Sequence, residues 1–221
     1  MTRLLFHVEG QTEKDFVNKV LRNHLVEKGY SSIDARIVGD PRHRQRGGIC
    51  KWPSARNDIV NHLREAPDCI ATTMVDYYAL PQKGPGGWPG RAEATRLRTI
   101  EQKGQCVQNA LREDLITEMG SRFDSKRFVP FVVMHEFEGL LFSDCAAFSR
   151  VIGRSDLEAD FRKIREQFAT PEDIDDSPAT APSKRVEALA PSYQKRLLGV
   201  LAVLEMDSRA FGQNVRISMA G

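Results

Sequence analysis

The chain has 221 residues, 41% hydrophobic and 28% charged, enough for one globular domain with at most a small appended subdomain. Its 32 basic and 30 acidic residues leave a net charge of +2, so no global field recruits nucleic acid, and any such affinity has to come from a local patch. Cys50, Cys69, Cys106 and Cys145 form no CxxC pair, which argues against a zinc ribbon or a disulfide framework. No apolar stretch approaches the ~20 residues that span a bilayer, and His7 and Glu9 interrupt any signal-peptide core in MTRLLFHVEG. The expectation is a soluble cytoplasmic protein with no membrane partner.

In chain order, RLLFHV at 3–8 reads as a short buried strand that stops at Glu9-Gly10. Thr12 and Asp15 resemble a capping box. Phe16, Val17, Val20, Leu21 and Leu25 recur at helical spacing, which predicts a helix over 13–28 ended by Gly29. Ile33, Ala35 and Ile37 alternate with polar residues as in a second strand. A basic loop, PRHRQRGG at 41–48, precedes a helix from about Ser54 to Arg64 that carries Ile59, Val60 and Leu63. CIATTMVD at 69–76 is rich in β-branched residues and reads as a buried strand ending at Asp76. The Gly/Pro-dense YYALPQKGPGGWPGR has to be a loop. Residues 92–119 read as helix, with Val107, Leu111, Leu115 and Met119 in one stripe and Gly104 a candidate break. FVPFVVM at 128–134 is a further strand, in which Pro130 favours the strand's start or an edge position.

After residue 143 the pattern changes. Helical stretches at 144–152, 155–168 and 185–206 flank the acidic loop TPEDIDDSPATAP, and no strand is evident. The predicted organisation is an α/β domain over 1–143 and a helical subdomain over 144–221 packed on it. Strands alternating with helices imply a mostly parallel central sheet of about four strands flanked by helices.

Three of these strands run into acid: the first at Glu9, the third at Asp76, the fourth at Glu136 and Glu138. Ligands of open α/β sheets bind beyond the carboxyl ends of the strands. Carboxylates gathered there repel one another, and a divalent cation removes that cost; hard oxygen donors select Mg²⁺, Mn²⁺ or Ca²⁺ over zinc, with Mg²⁺ or Mn²⁺ the expected cofactor. Glu9, Asp76, Glu136 and Glu138 are therefore the candidate catalytic and metal-binding residues. Glu13 is either a further ligand or a first-turn acid that complements the helix dipole. An acid after a strand is often a helix cap or a solvated loop residue, and Asp76 alone fits that reading equally well. His135 orients a carboxylate or carries a proton, or, like His7, is a satisfied core histidine.

Arg42, His43, Arg44, Arg46 and Lys51 surround Gly47-Gly48. Arg46, Gly47, Gly48 and Lys51 form a candidate phosphate cradle, the alternative being a solvated surface loop. Tyr77, Tyr78 and Trp88 either stack on bases or pack under a lid.

VEGQTEKDF at 8–16, MVDYYALP at 74–81, HEFEGLLFSD at 135–144 and PSKRV at 182–186 together resemble the family called domain of unknown function 4276, over nearly the whole chain to about residue 206. That family is similar to the TOPRIM group of topoisomerases, primases and overcoming-lysogenization-defect nucleases. The resemblance implies a TOPRIM-like fold and action on nucleic-acid phosphodiesters with Mg²⁺. It also implies a glutamate after the first strand, matched by Glu9, and a DxD motif. Asp76 matches the first acid of that motif, but Tyr78 stands at the second, and Glu136 and Glu138 are the candidates to make up the loss. An ATPase of the ABC or AAA kind, in a phage-defence or DNA-processing setting, is the partner the resemblance implies.

The family's ending, a helix with a Cys-Pro-His-Phe segment and a tryptophan, is absent. The polar RAFGQNVRISMAG stands in its place. One codon set for that tail restores the missing segment in another frame, so a frameshift from about residue 208 is expected. The expected function is a metal-dependent, TOPRIM-like nuclease. The alternatives are a catalytically degenerate TOPRIM scaffold that serves an ATPase, and a small-molecule phosphohydrolase using the same carboxylates.

Overall fold

The computed structural model describes residues 2–39, 49–134, 136, 138–174, 181–193 and 199. The chain divides into two compact units, Met1–Met134 and His135–Gly221, where the change of sequence pattern places the division after 143. HEFE itself thus falls at the start of the second unit.

The first unit is an α/β structure. Strands β1 (Arg3–Val8), β2 (Ser32–Ile37), β3 (Cys69–Asp76), β4 (Phe128–Val129) and β5 (Val132–Val133) form a parallel sheet in the order β2-β1-β3-β4, with β5 also paired to β3. The first helical run is α1 (Gln11–Phe16), a π-helical turn Val17–Leu21, and α2 (Arg22–Glu27); Gly29, at φ +98°, ends it as expected. Its Phe16, Val17, Leu21 and Leu25 are buried, as are Leu4, Phe6 and Val8 of β1 and Ile33 and Ala35 of β2. On the other face, α3 (Trp52–Glu65) and α5 (Ile100–Met119) enclose a core of Ile59, Leu63, Ala71, Val75, Val107, Leu111, Leu115, Phe128 and Val132. Burial on both faces accounts for strands that read as near-continuous apolar runs.

The fourth strand position is broken in two, and the break has a chemical cause. Pro130 has no N–H to give to the ladder. The register nevertheless runs on unchanged, with Thr72 opposite Val129 and Val75 opposite Val132. The Thr73 hydroxyl fills the gap: it accepts from the Phe131 N–H at 2.9 Å and donates to the Phe131 carbonyl at 2.7 Å. A fully buried side chain thus satisfies both backbone groups that the proline displaces.

Two helix starts differ from expectation. The first helix is capped at Gly10 rather than Thr12, and Asp15 accepts from the Gln11 amide at 2.7 Å instead of closing a capping box. The helix predicted over 92–119 is two, α4 (Arg91–Ala94) and α5, and the break lies at 95–99. There Thr99 and Gln102 form a full capping box. Gly104 stays inside α5. A Cβ at Gly104 would lie 2.9 Å from Met134 Sδ, so the glycine serves close packing rather than a break.

In the second unit the described residues form α6 (Glu138–Leu141), α7 (Cys145–Val151), α8 (Glu158–Arg165) and α9 (Pro182–Leu189), with no strand among them. Phe161 packs against Phe142 and Phe148, and Phe148 meets Tyr193 edge-on, with ring centroids 4.8 to 6.0 Å apart. Most of the predicted 185–206 helix, and the tail from 208, lie outside the described residues.

Candidate functional site

In the order β2-β1-β3-β4, the chain moves from β1 to one side for β2 and to the other for β3. The carboxyl ends of β1 and β3 therefore flank the switch point, where open α/β sheets leave a crevice. The residue after β1 is Glu9 and the last residue of β3 is Asp76. They meet: the Glu9 Oε2 accepts from the Asp76 backbone N–H at 3.4 Å, and both residues are half-buried.

Glu13 stands in the first turn of α1 and is 7% exposed. Its carboxylate folds back over Gly10, where an added Cβ would lie 3.1 Å from Glu13 Oε2. That placement is the dipole-complementing one. Lys51 precedes α3 as its cap residue, in the connection that leaves the carboxyl end of β2. Its aliphatic stem lies on Gly86, where a Cβ would come within 2.6 Å of Lys51 Cγ. Lys51 and the loop after β3 thus share the sheet edge of Glu9 and Asp76. Arg46, Gly47, Gly48 and His135 lie outside the described residues.

Glu136 and Glu138 belong to the second unit. Glu136 Oε2 accepts from the Ser183 backbone N–H at 2.8 Å, at the first turn of α9. The residue in the cap position there, Ala181, has no side-chain acceptor, and Pro182 follows it, so Glu136 supplies from a distance the anion that a local cap would provide. Two segments of the quoted resemblance, HEFE and PSKRV, are joined by that bond. Glu138 is 1% exposed. The Tyr193 hydroxyl is pushed up from its ordinary range by burial and, next, by the Glu138 carboxylate. Among the described residues no group of three or more His, Cys, Asp or Glu side chains is arranged to hold a metal ion.

The loop after β3 resolves the aromatic question. Trp88 is buried, donates its indole N–H to the Cys50 carbonyl at 2.9 Å and packs on Trp52 at 5.0 Å; it is a packing residue. Tyr77 is buried as well, while Tyr78 is 53% exposed. Sequence reasoning missed Arg91, which is only 3% exposed. Its guanidinium lies 3.9 Å from the Tyr77 ring centroid and its Nε donates to the Tyr77 carbonyl at 2.9 Å. A lone charged residue after a Gly/Pro loop carries no sequence signal for burial, because only the fold shows the aromatic face waiting for it.

Also missed was the partnership of His7 with His62. Arg36 can only donate, so His62 Nε2 accepts from it, and His62 Nδ1 then donates to His7 Nε2 at 3.4 Å. Neutral His7 carries its proton on Nδ1, which has no hydrogen-bond partner among the described residues. Burial, with His62 and Arg36 adding to it, lowers the His7 pKa to about 3, so it stays uncharged at neutral pH. Burial also raises the thiol pKa of Cys69, Cys106 and Cys145, the last to about 11, so none of the three is poised as a thiolate nucleophile.

Comparison with known proteins adds one finding. The family described as Domain of unknown function (DUF4276) matches residues 8–213. The chain belongs to the DUF4276 family. No curated protein and no solved structure matches it. The match spans all four segments quoted above, and in this DUF4276 chain they are joined two by two: Glu9 with Asp76, and Glu136 with Ser183. No helix of the described residues is long and apolar enough to cross a membrane.

Proposed function

We propose that this chain is a divalent-metal-dependent hydrolase of nucleic-acid phosphodiesters, TOPRIM-like in its placement of acids, with Glu9 and Asp76 as its metal ligands. The observation that carries this reading is the meeting of two carboxylate residues, from segments far apart in sequence, at the switch point of a parallel sheet. The donor set fits the metal. Mg²⁺ is commonly held by one or two carboxylates, with water and substrate phosphate completing its shell. Bound there, the ion would neutralise charge on the phosphate and lower the pKa of a water. The protein's own part is to hold Glu9 turned toward Asp76 and to present Lys51 on the same edge for a neighbouring phosphate. The roles of Glu136 and Glu138 are structural in this reading, since one serves the α9 N-terminus and the other is buried near Tyr193.

Calorimetric titration of Mg²⁺ and Mn²⁺ into the wild type, Glu9→Gln and Asp76→Ala, alongside hydrolysis of supercoiled, linear and single-stranded substrates, tests it. Binding and cleavage in the wild type, lost in both variants, is the expected result. Metal binding that survives Asp76→Ala overturns the assignment.

A second reading has its own support. Tyr78 stands where the TOPRIM pattern has a second acid, and the described residues contain no three-ligand group. Both favour a degenerate scaffold that docks on an ATPase of the ABC or AAA kind, in a defence or DNA-processing system. A wild type that binds no metal, yet is retained by an immobilised ATPase of the ABC or AAA kind, selects this alternative.

A further inference from the structure

At the end of the sheet opposite to Glu9 and Asp76 lies a cavity of about 240 Å³. It is lined by Arg3, Ser32 and Cys69, the first residues of β1, β2 and β3, and by His62 and Glu65 from the end of α3. Leu5 and Cys69 are its buried apolar part. Its charges are unevenly matched. Asp34 is satisfied within the fold, since one oxygen accepts from Arg22 at 3.3 Å and the other from the Ser32 hydroxyl at 3.2 Å. That leaves the guanidinium groups of Arg3 and Arg36 facing the single carboxylate of Glu65. Among the described residues neither arginine forms an ion pair. Arg36 is nonetheless held in place. It donates to His62 Nε2, and His62 Nδ1 is anchored on His7, which is buried and lies opposite Arg36 in the sheet register. A neutral imidazole orients a guanidinium without cancelling its charge, as a carboxylate would. A cation fixed in this way at a cavity wall is matched by an anion.

We propose that this cavity is a second site, one that binds the phosphate group of a small molecule, with Arg36 and Arg3 as its charge partners and His62 as the positioning residue that aims Arg36. A planar carboxylate is satisfied by one guanidinium fork, whereas a tetrahedral phosphate presents oxygens in several directions. The two arginines reach the cavity from different strands, Arg3 from β1 and Arg36 from β2, which suits the tetrahedral group. The volume is below the usual range for drug-sized ligands, so the occupant is small. A cation does not fit, because among the described residues no three metal-ligating side chains are arranged to hold one. The site shares no residue with the carboxylate pair and stands independently of the hydrolase reading.

The test is calorimetric titration of the full chain with inorganic phosphate and with adenosine monophosphate, in metal-free buffer at neutral pH. The wild type is expected to bind; equal affinities assign the site to phosphate itself, and tighter binding of adenosine monophosphate assigns it to a nucleotide. Arg36→Gln should weaken binding about tenfold or more, and Arg3→Gln should weaken it in the same direction. Both arginines are exposed, so neither change opens the core, and an unaltered melting temperature without phosphate confirms the fold. His62→Leu should weaken binding, while His62→Gln, whose amide oxygen can take the Arg36 N–H, should recover it; a merely structural His62 would not separate the two. Binding of neither probe by the wild type, or equal affinity of wild type and Arg36→Gln, overturns the site. Equal affinity of His62→Leu and His62→Gln overturns the positioning role.

Discussion

In residues 1–134, the acids of interest stand at the ends of parallel strands, half-buried and side by side. In residues 135–221, Glu136 is turned onto the backbone of α9 and Glu138 is enclosed near a tyrosine. The same residue type, equally abrupt after an apolar run, stands in two different settings. What separates them is the element that each adjoins. A strand end at a switch point faces a crevice, whereas a helix start that lacks a local cap offers N–H groups that an acid satisfies. Acidity after a strand is therefore not enough to assign a ligand: Glu9 and Glu136 each accept from a backbone N–H, one at a strand end and the other at a helix start.

The contrast breaks most sharply at Asp76. Asp76→Asn should lower Mg²⁺-dependent hydrolysis about a hundredfold or more, while Glu136→Gln leaves the rate near wild type. Equal losses in initial-rate assays would erase the distinction between the two regions.

Buried His7 gives the first unit a pH signature of its own. Its folded pKa, about 3, lies below the ordinary value of 6.5, so the unfolded chain binds its proton first as pH falls. The stability that His7 contributes is therefore complete above pH 6.5 and is lost as pH drops toward 3. The loss is about 1.4 kcal/mol for each pH unit. His62 is shifted the same way, by burial and then by Arg36. Thermal melts between pH 7 and 4 should show a shallower slope for His7→Gln than for the wild type; parallel slopes remove His7 from the account.

At the broken strand, Thr73→Val keeps the shape of the side chain but leaves the Phe131 N–H and C=O without their partner. It should cost about 2 kcal/mol in urea unfolding, and Thr73→Ser should recover part of it. The smallest effect belongs to the second unit. Glu136→Ala strips the anion from the α9 N-terminus and should lower stability by about 1 kcal/mol. A change within error there would mean that the Ser183 contact adds little.

Much of the first unit is readable without coordinates. β1 and β3 carry their burial as near-continuous apolar runs, and their ends fall at Glu9 and Asp76 as the patterning predicts. Pro130 announces a defect in the fourth strand, because one residue type has one consequence for a ladder. The repair is not readable, since Thr73 looks like any β-branched residue until the strands are aligned. Likewise, nothing local ties Glu136 to Ser183 or His7 to His62; those pairs are products of chain reversal. The helix break at 95–99 was missed because a stripe can persist across a short gap, while Thr99 and Gln102 carried the signal of a new start.

The hydroxyl at position 73 reaches across to the strand that carries the ring at position 130. Its partners are the N–H and C=O of Phe131, so only a side chain that both donates and accepts at that spot serves them. Drift at 73 is therefore expected to be confined to serine and threonine, a restriction set by the neighbouring backbone rather than by chemistry at the sheet edge.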